Sequence, residues 1–112
     1  MSSFSEKGLL GELEQLVLLA IIRLDDNGYA VSVRDEIERQ AGIDLRRSSV
    51  YVTLDRLDRK GYLTSWFSDP TPERGGKAKR CFSITPQGHR ALKTAADAIA
   101  RLRQRRPVRS RT

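Results

Sequence analysis

The stretch RRSSVYVTLDRLDRKG, residues 46–61, constrains the fold more than any other part of the chain. Val50, Leu54 and Leu57 recur at spacings of four and three, which draws one apolar stripe along a helix. Ser48 reads as the N-cap, and Gly61 as the stop just past Lys60. The face away from the stripe carries Ser49, Val52, Thr53, Arg56 and Lys60. These side chains are small, hydroxylated or basic. Such a face enters a major groove without obstruction and can hydrogen-bond phosphates or base edges. An ordinary solvated face has a similar composition, so the flanking elements have to decide.

Charge narrows the choice. The formal net charge is +7 and the isoelectric point about 10.2, which favours a negatively charged partner: nucleic acid or an anionic membrane surface. With 112 residues the chain suits one domain with a modest core. No apolar run is long enough for a transmembrane helix, and MSSFSEKGLLGELEQL lacks the pattern of a secretion signal. The single cysteine, Cys81, excludes an intramolecular disulfide framework. A cytoplasmic, nucleoid-associated protein with no membrane partner is expected.

After a short flexible lead (residues 1–8), a helix is predicted over Leu9–Leu24. Leu9, Leu13, Leu16, Val17, Ala20, Ile21 and Leu24 fit its period, and Leu10, Leu18, Leu19 and Ile22 widen the apolar surface. So much apolar surface calls for burial on more than one side, either in a monomer's core or partly by a second subunit. Leu9, Leu13 and Leu16 are therefore candidate dimerisation residues. Asp25-Asp26-Asn27-Gly28 reads as a turn, with Asn27 and Gly28 suited to its special dihedrals. The next helix, Tyr29–Gln40, stacks Tyr29, Val33 and Ile37. Its outer face of Arg34, Asp35, Glu36, Glu38 and Arg39 is mixed in sign, as on a solvated support helix. Gly42 ends it, and Ile43 and Leu45 are expected to plug the gap before the central helix.

Beyond Gly61, Tyr62–Phe67 and Lys79–Thr85 have strand character. Phe82 and Ile84 are assigned to one face of the second strand and Arg80 to the other set. Two prolines and Gly75-Gly76 make the intervening segment a loop. The strands form an antiparallel ribbon that must pack on the helices. Its tip carries Arg74 and Lys77, suited to a phosphate or minor-groove contact. Thr85-Pro86 then marks a helix start, and the helix runs to about Gln104. Leu92, Ala95, Ala96, Ile99 and Leu102 form its stripe, expected to pack partly on a partner chain through Leu92, Ala96, Ile99 and Leu102. The tail, residues 105–112, is basic and expected to fray.

The order helix, helix, helix, strand, loop, strand, helix gives an α+β, mainly helical fold. The second and third helices make a helix-turn-helix, and the ribbon a wing. The domain spans residues 9–85, with an added C-terminal dimerisation helix at 86–104. Catalytic and metal chemistry find no footing. His89 is the only histidine and has no cysteine cluster near it. Cys81 reads as a small structural side chain, and Gly75-Gly76 lacks the phosphate-loop pattern. Neither an enzyme nor a cofactor is expected.

Several motifs resemble the PadR family of bacterial transcriptional regulators, over about Leu13 to Leu92. They are Gly28-Tyr29, Val50-Tyr51 with Thr53-Leu54 and Arg56-Leu57, and Gly61-Tyr62-Leu63. The segment Pro70–Arg80 running into Phe82-Ser83-Ile84-Thr85-Pro86-Gln87-Gly88 completes the set. The wing sequence PTPERGG with a single C-terminal helix is similar to a compact group of that family. The resemblance implies a winged helix-turn-helix homodimer, joined through its terminal helices, that binds a pseudo-palindromic operator in double-stranded DNA and represses. Arg47-Ser48 replaces the Pro-Gly common before the recognition helix. The C-terminal region is short, leaving less structure for the small-molecule effector site that some members have. On this basis Ser49, Val52, Thr53 and Arg56 are assigned to the major groove. Arg46, Arg47, Ser48, Tyr51 and Lys60 are assigned to the DNA backbone, and Arg74, Gly75, Gly76, Lys77 and Lys79 to the wing. A winged-helix module that docks an acidic protein is the alternative.

Overall fold

A computed structural model describes residues 9–68 and 78–104. Its elements are α1 (Glu12–Arg23), α2 (Ala30–Ala41), α3 (Arg47–Arg59), β1 (Leu63–Phe67), β2 (Arg80–Ile84) and α4 (Pro86–Arg103). The lead, the basic tail and the wing tip with Arg74, Gly75, Gly76 and Lys77 lie outside the described residues.

α1 begins where Glu14 reaches back to accept a hydrogen bond from the Gly11 amide at 2.8 Å. Glu12 and Glu14 place negative charge against the positive end of the helix dipole. The turn that follows differs from expectation. The left-handed residues are Asp25 and Asp26, each at φ 59°. Their short side chains tolerate that region, and the Asp26 carboxylate then accepts from the Ile84 amide at 3.1 Å. Gly28 is needed for space instead. It exchanges two backbone hydrogen bonds with Phe82, and a Cβ there would stand 2.9 Å from Val33 Cγ2. This bridge gives the two-stranded ribbon a third partner and seats it on the helices.

α2 starts one residue later than expected, with Tyr29 as N-cap, and ends at Gly42 in the left-handed region at φ 72°. Its polar face is tied to the turn before α3. Arg34 donates through Nε to the Leu45 carbonyl at 2.7 Å and through Nη2 to Asp44 at 2.6 Å. That tether sets where α3 begins, and Arg46, not Ser48, is its N-cap. Ser48 lies inside the first turn and is exposed. Gly61 closes the far end at φ 83°, as its position past Lys60 predicts.

The two strands pair antiparallel from Leu63↔Ile84 to Phe67↔Arg80. Side chains two apart share a face, so Arg80 stands with Phe82 and Ile84 and not opposite them. Its guanidinium lies 4.9 Å from the centre of the Phe82 ring. The core unites Val17, Leu18 and Ile21 of α1, Val33 of α2, and Val50, Leu54 and Leu57 of α3 with Leu63 and Phe82 of the ribbon, all essentially inaccessible to solvent. Each such side chain contributes about 1.5–3 kcal/mol on burial, before entropy is counted.

α4 is joined by a tight junction. Thr85 Oγ1 accepts from the Gly88 amide at 3.0 Å and donates to the Gly61 carbonyl at 2.7 Å. Leu92 and Ala95 pack into the core, but beyond them Ile99 is 46% and Leu102 89% exposed. Leu92 therefore belongs to its own domain and is not free to meet a partner.

Candidate nucleic-acid interface

On the outer side of α3 Val52 and Arg56 are exposed and Ser49 is half-buried, and with Leu13, Ser48 and Thr53 they edge a shallow groove. Val52 is 53% exposed, although the flanking Val50 and Leu54 are fully buried. Thr53 departs from its predicted place. It is 3% exposed, and its hydroxyl donates to the Ser49 carbonyl one turn back at 2.8 Å. It sits beside the apolar stripe at position i+3 from Val50, close enough to be buried with it. Leu13 lines this groove, and both Leu13 and Leu16 pack on the core.

Arg46 and Arg47 are exposed at the α3 N-terminus and help line a cleft with Val31, Arg34, Asp44 and Leu45. Arg34 is held by Asp35, Glu38 and Asp44, so among the described residues the unpaired charge of this cleft comes from Arg46 and Arg47. Lys60 is placed differently from the expected phosphate contact. Its ammonium lies 2.7 Å from Glu14 of α1, whose side chain is only 7% exposed. Burial pushes the Glu14 carboxyl up, but the hydrogen bonds from Lys60 and Gly11 and the charges of Lys60 and Arg56 hold it below the ordinary glutamate range. Lys79 closes the ribbon: its amide donates to Ser68 Oγ at 3.1 Å, and its ammonium lies 4.1 Å from the Tyr29 ring centre.

Tyr51 is 44% exposed on the flank of α3 that faces the ribbon. Its hydroxyl accepts from Arg80 Nη1 at 2.9 Å. Arg80 also donates to Asp55 at 3.2 Å and to Asp58 at 2.7 Å. Ser65 donates to the same Asp58 oxygen at 2.7 Å. Desolvation works against the charged guanidinium, but the bonds to Tyr51, Asp55 and Asp58 leave its pKa above the ordinary arginine value. Next to Arg80 in register, Phe67 is 70% exposed.

Sequence reasoning did not single out Arg80, Asp55, Asp58 or Phe67. The strand parity that places Arg80 beside Phe82 and the i, i+3 spacing of Asp55 and Asp58 were the available signals.

An amphipathic helix with an exposed polar face, a helix packed behind it and a two-stranded ribbon beside it make a winged helix-turn-helix. The sequence model of the transcriptional regulator PadR-like family matches residues 18–94. The chain belongs to that family.

Solved structures agree on the fold. A transcriptional regulator from Clostridium thermocellum matches with a TM-score of 0.69 at 18% identity, over 91% of this chain and 90% of that one. A PadR family regulator from Eggerthella lenta matches at 0.65 and 22% identity, over 81% and 79%. A winged-helix DNA-binding protein from STIV matches at 0.64 and 15% identity, over 80% and 88%. No curated protein sequence matches. This PadR-family chain is a winged-helix regulator with an added C-terminal helix. Among the described residues, no helix is long and apolar enough to cross a membrane, and no group of three or more His, Cys, Asp or Glu side chains is arranged to hold a metal ion.

Proposed function

We propose that this PadR-family chain is a homodimeric repressor that binds a pseudo-palindromic operator in double-stranded DNA. The observation that carries the reading is the exposed face of α3. Val52 and Arg56 face solvent there, with half-buried Ser49 beside them, between two backbone-contacting flanks, Arg46 and Arg47 at one end and Tyr51 beside the ribbon. Arg56 reads a base edge by hydrogen bonding, and Val52 offers its methyl groups to thymine. Arg46, Arg47, Ser48 and Tyr51 fix the register on phosphates, and the wing residues Arg74 and Lys77 anchor the neighbouring backbone.

The second subunit is supported by α4. Its stripe outlasts the domain: Ala96, Ile99 and Leu102 are exposed, as are Leu9 and Leu19 at and beside α1. Two half-sites on one face of B-DNA would require the two copies of α3 to stand about 34 Å apart, one turn of the duplex. Repression is steric, by occupation of promoter DNA in the nucleoid of the cytoplasm.

The test is selection of duplexes from a randomised pool by the wild-type chain, followed by a salt-dependent binding titration and a solution mass. A two-fold symmetric sequence bound by two chains is the expected result. Failure to bind any duplex at low salt contradicts the reading and favours a protein-docking module.

A further inference from the structure

Arg80 is a cation without a free charge. Nη1 donates to Tyr51 Oη at 2.9 Å and to Asp55 Oδ1 at 3.2 Å, and Nη2 donates to Asp58 Oδ2 at 2.7 Å. The Phe82 ring covers one face of the guanidinium at 4.9 Å. A guanidinium already shared by two carboxylates has little left to offer a phosphate. Its contact with the phenol has a chemical direction. Arginine has no acceptor, so the Tyr51 oxygen must accept there. The single proton of the phenol is then left for a partner outside the pair. A hydroxyl that accepts a charge-assisted hydrogen bond is polarised into a stronger donor.

The carboxylates supply a second consequence. Asp55 and Asp58 lie along the same flank of α3 as Tyr51. Left bare, they would repel a phosphate approaching the phenol. Arg80 bridges both, and with Arg59, 3.0 Å from Asp55, two guanidinium groups balance the two carboxylates.

We propose that Arg80 is a positioning residue for DNA binding: it takes one lone pair of Tyr51, aims the phenolic proton at a backbone phosphate, and screens Asp55 and Asp58 from that phosphate. This rests on the DNA-binding reading above. It also gives the wing strand a task apart from its tip, because Arg80 belongs to β2 and Tyr51 to α3. Movement of the ribbon relative to α3 would be felt at that phosphate contact.

The experiment uses a labelled duplex of about 30 bp, long enough for two half-sites, enriched from a random pool by the wild-type chain. Affinity is measured by fluorescence polarisation over a range of KCl for wild type, Tyr51→Phe, Arg80→Gln and the double variant. Each single variant is expected to bind about 5–10-fold more weakly, the scale of one net hydrogen bond. The double variant is expected to match Arg80→Gln, because Tyr51 without Arg80 has no aimed proton to lose. The slope of log affinity against log salt is expected to stay at the wild-type value, since Arg80 itself neutralises no phosphate.

A slope reduced by about one in Arg80→Gln would make Arg80 a direct phosphate ligand and overturn the proposal. So would multiplied losses in the double variant, or a Tyr51→Phe variant that binds like wild type. If Arg80→Gln does not fold, as judged by circular dichroism, Arg80→Lys replaces it. An ammonium keeps the charge but cannot span Tyr51 and Asp58 together, and the same pattern is expected. If the wild-type chain enriches no duplex, the DNA-binding reading falls and takes this proposal with it. If wild type binds and Tyr51→Phe is unchanged, this proposal alone falls.

Discussion

Lys60 closes α3 with its ammonium 2.7 Å from the buried carboxylate of Glu14 in the first turn of α1. The reading helix is thereby fixed at its C-terminal end to the helix that contributes to the proposed dimer. The pair is structural, and its removal leaves Glu14 desolvated with only the Gly11 amide as partner. Lys60→Ala is expected to cost about 1–3 kcal/mol of folding stability, the penalty for an abandoned buried partner. Urea unfolding measures this. The salt slope of DNA binding is expected to stay unchanged, whereas a lost phosphate contact would lower it by about one.

The same carboxylate predicts a response to acid. Glu14 is held below the ordinary glutamate range by Lys60 and Gly11 against its own burial. Glu36 is also lowered, by hydrogen bonds from Arg23 and Arg39 that outweigh desolvation. A carboxyl whose folded pKa lies below its unfolded value, about 4.3 for glutamate, stabilises the fold above that value. The contribution is lost as pH falls through the unfolded and then the folded value. Melting temperature is therefore expected to hold from neutrality to about pH 5 and to drop below it. Glu14→Gln should flatten part of the drop. A melting temperature that rises on acidification would contradict the assignment.

Gly88 lets α4 approach the winged domain closely. A Cβ there would stand 2.3 Å from the Tyr62 carbonyl oxygen and 2.7 Å from Ile84 Cγ1. Backbone cannot yield as a side chain tip does, so Gly88→Ala is expected to destabilise by about 1–3 kcal/mol or more. Chemical denaturation reads the loss. A neutral result would mean that α4 sits further from Tyr62 than described.

Much of this fold was legible because its elements announce themselves separately. Val50, Leu54 and Leu57 state a helical period; Gly42 states the end of α2 and Gly61 the end of α3; Thr85-Pro86 states a cap. The misplaced residues are those decided by contacts distant in sequence. Ser48 lost the N-cap because Arg34, on another helix, holds the Leu45 carbonyl and fixes where α3 begins. Thr53 went inward because its hydroxyl can be satisfied by the Ser49 carbonyl, which a polar-versus-apolar reading does not register. Leu92 looked like interface, yet the positions of α1 and the ribbon determine how far along α4 the domain's own cover extends. Arg80 was assigned to the wrong face of its strand, and with it went the link between wing and recognition helix.

The proposed dimer has a separable test in Leu102, which is 89% exposed within one chain. Leu102→Glu should leave the circular dichroism spectrum and the monomer fold intact while placing a charge in the partner contact. Small-angle scattering or sedimentation is expected to give a dimer for wild type and a monomer for the variant. A wild-type monomer at micromolar concentration would remove the second subunit from the account.

The central claim is that the exposed face of α3 reads sequence, and Arg56 tests it most directly. Wild type, Arg56→Ala and Thr53→Val are titrated against the enriched duplex and against a random duplex of the same length. Arg56→Ala is expected to lose about 1–3 kcal/mol on the enriched duplex and clearly less on the random one. Thr53→Val, altered inside the fold, is expected to keep the wild-type ratio between the two. Equal losses for Arg56→Ala on both duplexes would contradict the claim and reduce this face to general attraction for DNA.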